Sequence, residues 1–154
     1  MTPANDPPAD RPKILLVDDD PSMLEGLRRQ LATEFDVTCA NDGTAALLIA
    51  VSYGSFDVAI ADVKMPGMSG IDLFEELADL QPDVVRILLT GFADVASATA
   101  AVNRSEVFRF LSKPCDATTL RDAVRAGVVR HRQMRTESDQ LDQLVESRQV
   151  EYQG

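Results

Sequence analysis

Five polar side chains of this sequence stand at the ends of short apolar stretches, and their types suit phosphoryl chemistry. They are Asp18, Asp19, Asp62, Thr90 and Lys113. A carboxylate can attack a phosphoryl group and form an aspartyl phosphate. Carboxylates that lie close together repel one another unless a cation joins them, and Mg²⁺ suits such a group because it is a hard ion that prefers oxygen ligands. These side chains, brought together, would form a site for Mg²⁺-assisted phosphoryl transfer.

Asp62 is the predicted phosphoryl acceptor. It follows the apolar run VAIA and precedes a turn rich in proline and glycine, MPGMSG. The transition state of phosphoryl transfer spreads its charge over the equatorial oxygens, so catalysis consists mainly of positioning and charge neutralisation. Mg²⁺ and Lys113 would supply positive charge, and the Thr90 hydroxyl would donate a hydrogen bond.

The elements that position these side chains are predicted from apolar runs separated by turn signals. Strands are predicted at residues 14–17, 36–40, 56–61, 84–89 and 107–111. Helices are predicted from Pro21 onward, at 45–53, 70–80 and 94–103, and after Asp116, with N-caps at Asp20, Asp94 and Asp116. Buried strands that alternate with helices indicate an α/β fold with a parallel sheet and helices on both faces. For a chain of this size we expect the flavodoxin-like (βα)5 doubly wound sheet with strand order 2-1-3-4-5.

This topology brings the candidate residues to one edge of the sheet. The acids follow the first and third strands, Thr90 follows the fourth and Lys113 follows the fifth. The first, third, fourth and fifth strands are neighbours in the predicted order, and open α/β sheets bind their ligands outside the carboxyl ends of the strands. The five side chains are therefore expected to share one pocket.

Composition excludes several other classes of function. The 154-residue chain carries a net charge of -10 and an isoelectric point near 4.4, which argues against direct binding of nucleic acid or of an anionic membrane. It has no apolar run long enough to span a bilayer and no signal-peptide pattern, so a cytoplasmic location is expected. The one histidine, His131, rules against a histidine-based metal site and is expected to lie solvated on a helix.

Four segments of the sequence, VDDDP, ADVKMPGMSG, LLTG and FLSKP, resemble the response-regulator receiver domain of two-component signalling, a chemotaxis-regulator-like domain. The resemblance covers roughly residues 13–132. It implies that Asp62 is phosphorylated by a histidine kinase or a phosphotransfer protein, and that the chain is a signalling switch. Such a domain is not an enzyme in the usual sense, because it catalyses only its own phosphorylation and dephosphorylation.

The resemblance also implies a role for individual residues. Asp19 and Asp62 would be Mg²⁺ ligands, with the Lys64 backbone carbonyl as a third ligand and Asp18 held through water. Thr90 and Lys113 would bind phosphate oxygens, Phe110 would be the switch aromatic, and the Lys113-Pro114 peptide would be cis. We further expect Lys64 and Phe92 to screen the phosphoryl group from hydrolytic water.

Phosphorylation is expected to reshape the face formed by the helix at 94–103, the fifth strand and the last helix, and thereby to control a partner or a downstream output domain. We divide the chain into a disordered leader (1–12), a receiver domain (13–132) and a helical extension or linker (133–154). An incomplete heptad pattern in the extension makes either a solvated helix or a coiled coil conceivable. A homodimer would use the same face or the C-terminal helix.

A haloacid-dehalogenase-type phosphohydrolase is the alternative interpretation. In that reading Asp18 would be the nucleophile and Asp20 the general acid/base. The later acidic pair and the cap domain expected of such an enzyme are missing, and the segment ADVKMPGMSG would have no role. Mutation separates the two readings, because only one of them requires Asp62.

Overall fold

A computed structural model describes residues 11–91 and 106–153 of the chain, with side chains through residue 146. Within these residues, strands and helices alternate from the first strand through the fourth. The elements are β1 (Lys13–Val17), α1 (Pro21–Leu31), β2 (Asp36–Ala40), α2 (Gly43–Ser52), β3 (Val58–Asp62), α3 (Gly70–Leu80), β4 (Val85–Thr90), β5 (Arg109–Ser112) and the C-terminal helix (Ala117–Gln153).

The strands form one parallel sheet in the order β2-β1-β3-β4-β5. This is the predicted flavodoxin-like topology, and the prediction is confirmed. The register aligns the carboxyl ends of the strands, because Val17 pairs with Ala61 and Thr90 pairs with Ser112. The residues that follow these pairs therefore emerge at the same edge of the sheet.

Alternation along the strands produces two hydrophobic cores, one on each face of the sheet. In β1, Leu15 and Val17 face α2 and α3, whereas Ile14 and Leu16 face α1 and the C-terminal helix. All four side chains are fully buried. The sheet is thus fixed from both sides, and its carboxyl edge is a rigid platform for the polar residues that follow the strands.

Aspartates cap three of the described helices that leave this edge, and Ser69 caps α3. Asp20 accepts hydrogen bonds from the backbone N–H groups at the start of α1, and Asp116 accepts one from Thr119 N. Both caps were predicted. Helix α2 begins at Gly43, earlier than predicted, because the side chain of Asp42 accepts a hydrogen bond from Ala45 N at 2.7 Å and caps this helix as well.

The C-terminal helix runs without interruption through the predicted domain limit at residue 132. His131, expected to be solvated, is instead buried with 6% exposure, and its Nδ1 lies 2.7 Å from the Asp83 carbonyl oxygen. That expectation is wrong, because the helix turns this position toward the sheet. The division into leader, domain and extension remains a prediction.

Some predictions fall outside the described residues. They concern residues 1–10 of the leader, Phe92, and the helix at 94–103 with its cap Asp94. Among the described helices, none combines the length and the apolar character needed to cross a bilayer.

Candidate functional site

Three carboxylates meet where β1 and β3 end. Asp18 and Asp19 follow β1 directly, and Asp62 is the last residue of β3. One carboxylate oxygen from each lies within 4.8 Å of the others. Asp18 is fully buried, Asp62 is 9% exposed and Asp19 faces solvent, so the cluster opens outward on the Asp19 side.

Asp18 is held on both of its carboxylate oxygens. Its Oδ1 accepts a hydrogen bond from Asp20 N at 3.0 Å, and its Oδ2 accepts one from Lys113 Nζ at 3.0 Å. Buried carboxylates need such partners, because an unpaired charge in the interior is strongly destabilising. Asp18 is therefore a fixed negative charge at the floor of the site.

Lys113 joins the two buried acids. Its Nζ donates to Oδ2 of Asp62 at 2.9 Å as well as to Asp18. Burial lowers the pKa of Lys113, but its hydrogen bonds to Asp62 and Asp18 and their negative charges outweigh that effect and raise the pKa above its ordinary value. The ammonium group is thus firmly charged beside Asp62.

Asp62 is positioned by a close approach of the chain that the sequence analysis missed. A Cβ built on Gly70, the first residue of α3, would lie 2.2 Å from the Asp62 carbonyl oxygen. Only glycine fits there without displacing the backbone. The Asp62 side chain is also oriented locally, because its Oδ1 accepts a hydrogen bond from Lys64 N at 3.3 Å. A glycine at this place in the sequence was interpreted as a turn residue, since spacing alone does not reveal a contact of this kind.

Thr90 and Phe110 lie on adjacent strands and on the same face of the sheet. Thr90 pairs with Ser112 and Leu88 pairs with Phe110, so the pair that contains Phe110 is two positions before the pair that contains Thr90. The Thr90 side chain is buried and its Oγ1 donates to the Gly91 carbonyl oxygen at 3.1 Å. Phe110 is half-buried against the core beneath α2 and α3.

The connection after β5 is tied to the same edge. Lys113 N donates to the Thr90 carbonyl oxygen at 2.9 Å, and the Lys113-Pro114 peptide is cis as expected. The structure therefore brings Asp18, Asp19, Asp62 and Lys113 together. It places Thr90 at the end of the neighbouring strand, and Lys64 beside Asp62 with an exposed side chain.

The donor set suits a small, hard cation. The three converging groups are all carboxylates, and such oxygen ligands match Mg²⁺ better than a softer metal that prefers nitrogen or sulfur. Asp19, on the solvent side, is the carboxylate that an entering ion would meet first.

This fold, with an acidic site and a lysine at the carboxyl edge of its sheet, can be compared with known protein families. The family model of the response regulator receiver domain matches residues 14–125. That match covers more than half of the chain, which therefore belongs to the response regulator receiver domain family of two-component systems.

Individual proteins show the same relationship. The transcriptional regulatory protein GlrR of Escherichia coli is 37% identical over 112 residues, which are 72% of this chain and 25% of GlrR. Adenylate cyclase from Rhodopirellula baltica has a crystal structure that matches with a TM-score of 0.82 and 36% identity, covering 86% of this chain and 98% of that one. A receiver domain protein from Clostridium thermocellum matches with a TM-score of 0.74 and 31% identity, covering 80% and 98%. The chain spans about a quarter of the length of the curated relatives it matches.

Proposed function

We propose that this chain is a phosphorylation-dependent signalling switch in which Asp62 accepts a phosphoryl group. The observation that carries the proposal is the convergence of Asp18, Asp19 and Asp62 around a lysine that bonds to Asp62 itself. A firmly charged ammonium group beside a carboxylate is the arrangement that phosphoryl transfer to that carboxylate needs, since most of the catalysis is charge neutralisation.

In the proposed reaction, an oxygen of the Asp62 carboxylate attacks phosphorus in a phosphohistidine of a histidine kinase or phosphotransfer protein. The new oxygen–phosphorus bond forms as the phosphorus–nitrogen bond breaks, and the imidazole leaves with the electron pair and takes up a proton. Lys113 then lies within reach of the phosphoryl oxygens, because it already contacts Asp62 Oδ2. Asp18 keeps the lysine in place from its other side.

Mg²⁺ is the proposed cofactor. Asp19 and Asp62 would hold the ion, the Lys64 backbone carbonyl would be a third ligand, and Asp18 would act through water. When bound, the ion neutralises the carboxylates and the incoming phosphate. The role of the protein is to hold two of the three acids in a buried, fully bonded arrangement that leaves Asp19 open to solvent.

The signal would be transmitted through Thr90 and Phe110. A phosphoryl group adds close to two negative charges and acceptor oxygens that a hydroxyl can approach. The Thr90 hydroxyl now bonds to its neighbour's carbonyl, and a shift toward the phosphate would free space on the sheet face that it shares with Phe110. Inward rotation of this ring would change the surface beside β5 and the C-terminal helix, as a two-state population shift.

The output lies with a partner or a downstream domain, because the chain is a switch that catalyses only its own phosphorylation and dephosphorylation. A histidine kinase partner is consistent with a cytoplasmic location. A homodimer through the C-terminal helix or the surface around β5 stays a prediction.

The phosphohydrolase alternative needs Asp18 as the nucleophile. Asp18 is fully buried, whereas Asp62 is 9% exposed, and Asp20 is engaged as the cap of α1. Borohydride reduction tests the choice, because it converts an aspartyl phosphate into homoserine, which mass spectrometry of peptides can locate. We expect homoserine at position 62 after phosphorylation; homoserine at position 18 would overturn the proposal.

A further inference from the structure

The outward face of α2 is apolar, although it faces solvent. Leu48 is 65% exposed and Val51 is 69% exposed, and they lie one helical turn apart. Tyr53, which follows the helix, is 63% exposed. Helices of this type normally show charged side chains to water, and a helix that is apolar all round is normally buried. Residues 43–56 contain no charged residue, in a chain of which 26% is charged.

Helix α3 extends this surface at one end. The side chain of Gln81, at the end of α3, donates to the carbonyl oxygens of Ala50 at 3.1 Å and Gly54 at 2.8 Å. These bonds fasten the carboxyl ends of α2 and α3 to each other. Leu80, the residue before Gln81, is 48% exposed and thus adds an apolar side chain at the junction of the two helices.

Two exposed acidic side chains of α3 lie close to Leu80 in the helix. Glu76 and Asp79 are exposed, and both lie within one helical turn of Leu80. Helix α3 contains no basic residue, and Lys64 is the one basic residue between Arg29 and Arg86. The surface therefore combines an uncharged apolar area with a border of a single sign of charge.

We infer that this α2–α3 surface is a docking site for an amphipathic helix of a partner protein that carries lysine or arginine beside its apolar stripe. The surface comprises Leu48, Val51, Tyr53, Glu76, Asp79 and Leu80. Apolar side chains on the partner helix would cover the exposed residues of α2. Its basic residues would lie against the acids of α3, and opposite charges across an interface fix orientation and speed association.

Charge argues against a second copy as the occupant. Each chain carries a net charge of -10, and symmetric pairing of two such surfaces would bring the same acidic residues together. The segments at either end of the chain do not fit either. Residues 1–10 contain no lysine or arginine, and the exposed Leu141 and Leu144 of the C-terminal helix are interleaved with Asp139 and Asp142.

The basic part of the chain's own C-terminal helix is packed against the sheet and is not available to dock on another molecule. Arg121, Arg125 and Arg130 lie on the C-terminal helix, but of the valines between them Val124 and Val128 are buried against the sheet and Val129 is 55% exposed, which is one apolar side chain and not a stripe. This stretch would have to leave the core before it could dock on another molecule. A helix from a different protein is therefore the occupant that the charges and the burial favour.

A synthetic helical peptide of leucine and lysine is a suitable probe, with a leucine–glutamate peptide of the same pattern as its charge control. Binding to the full chain would be measured by fluorescence anisotropy, and the contact would be mapped by amide chemical shifts. We expect the basic peptide to bind, the acidic one to fail, and the largest shifts to lie in α2 and α3.

Matched variants decide whether the proposed surface is responsible. Leu48→Gln/Val51→Gln should weaken binding roughly tenfold or more, because two apolar contacts are lost. The same change at Leu141 and Leu144, which are similarly exposed, should leave the affinity unchanged. An equal loss in both double variants, or shifts confined to other elements, would overturn the proposal.

A second pair of variants tests the charges. Glu76→Gln/Asp79→Asn should weaken binding about threefold, with a smaller difference at high salt, because exposed charges are screened. Asp139→Asn/Asp142→Asn removes the same net charge from the C-terminal helix and should have no effect on binding.

Sedimentation of the free chain tests whether a second copy of the chain occupies the surface. A self-associated species that Leu48→Gln/Val51→Gln converts to monomer would show that a second copy is the occupant, contrary to the proposal.

Discussion

Lys113 Nζ lies 2.9 Å from Asp62 Oδ2, although the two residues are 51 positions apart in the chain. The same nitrogen lies 3.0 Å from Asp18 Oδ2. The ammonium group of Lys113 therefore joins three strands. Asp18 follows β1, Asp62 ends β3, and Lys113 itself follows β5. The charges of Lys113 and the two aspartates therefore affect both phosphoryl transfer at this site and the stability of this edge of the sheet.

Replacing Lys113 by Met should destabilise the domain, and more so when Mg²⁺ is absent. Removal of the ammonium leaves Asp18 and Asp62 without their shared partner, and the loss of a hydrogen bond between charged groups is worth about 1.5–3 kcal/mol. A divalent cation would replace part of the missing charge. Urea unfolding with and without Mg²⁺ measures both effects. Equal losses under the two conditions would show that the cation does not compensate for the lysine.

Asp19 should determine Mg²⁺ affinity without determining the fold. Asp19→Asn removes an exposed carboxylate from the cluster, and we expect Mg²⁺ binding to weaken roughly tenfold or more. Asp20→Asn is the matched control, because it makes the same change one residue away and asparagine still caps a helix. Mg²⁺ should raise the Tm of the wild type and of Asp20→Asn, and of Asp19→Asn much less. Indistinguishable shifts in all three proteins would exclude Asp19 as a ligand.

Gly70→Ala should distort the backbone at Asp62. The added Cβ would meet the Asp62 carbonyl oxygen at 2.2 Å, so the chain must move, at about 1–3 kcal/mol of unfolding free energy. Phosphorylation should slow as well. Gly26→Ala is the control, since nothing lies within 4 Å of its new Cβ and the helix interior should gain about 0.4–1 kcal/mol. Unimpaired stability and phosphorylation of Gly70→Ala would contradict the proposed positioning of Asp62.

A surface ion pair near the beginning of the C-terminal helix predicts that stability depends on pH. Arg125 Nε donates to Glu34 Oε2 at 2.7 Å, and this hydrogen bond lowers the pKa of Glu34 below its ordinary value of 4.5. The contribution of Glu34 to stability is therefore fully present above pH 4.5 and is lost as the pH falls through the lowered pKa of the folded state. The small Tm difference between wild type and Glu34→Gln should shrink and then close as the pH is lowered below 4.5. Glu137→Gln, an exposed change outside the pair, should show no such dependence.

The sequence predicted the sheet because each strand is a short apolar run that ends in a polar residue. It also predicted that these polar residues would meet, since the carboxyl ends of parallel strands share one edge. The sequence did not predict the hydrogen bonds that Lys113 donates to two aspartates. Residue types indicate that an ammonium belongs in the site, but only coordinates show that it bonds to both Asp18 and Asp62.

Two other features could not be predicted, for different physical reasons. The contact of Gly70 with the Asp62 carbonyl depends on how tightly the turn closes, which no local pattern encodes. His131 is expected to lie solvated on a helix, yet its position on the helix turns it toward the Asp83 carbonyl, a contact that residue type alone does not reveal. The helix at 94–103 remains a prediction. The screening of the phosphoryl group from water by Lys64 and Phe92 also remains a prediction.

Intact-mass measurement after treatment with acetyl phosphate tests the central claim most directly. The account predicts a gain of about 80 Da, one HPO₃ group added through aspartyl phosphate chemistry, in the wild type with Mg²⁺. It predicts no gain in Asp62→Asn, and none in the wild type with a chelator. A gain that persists in Asp62→Asn but disappears in Asp18→Asn would contradict the account.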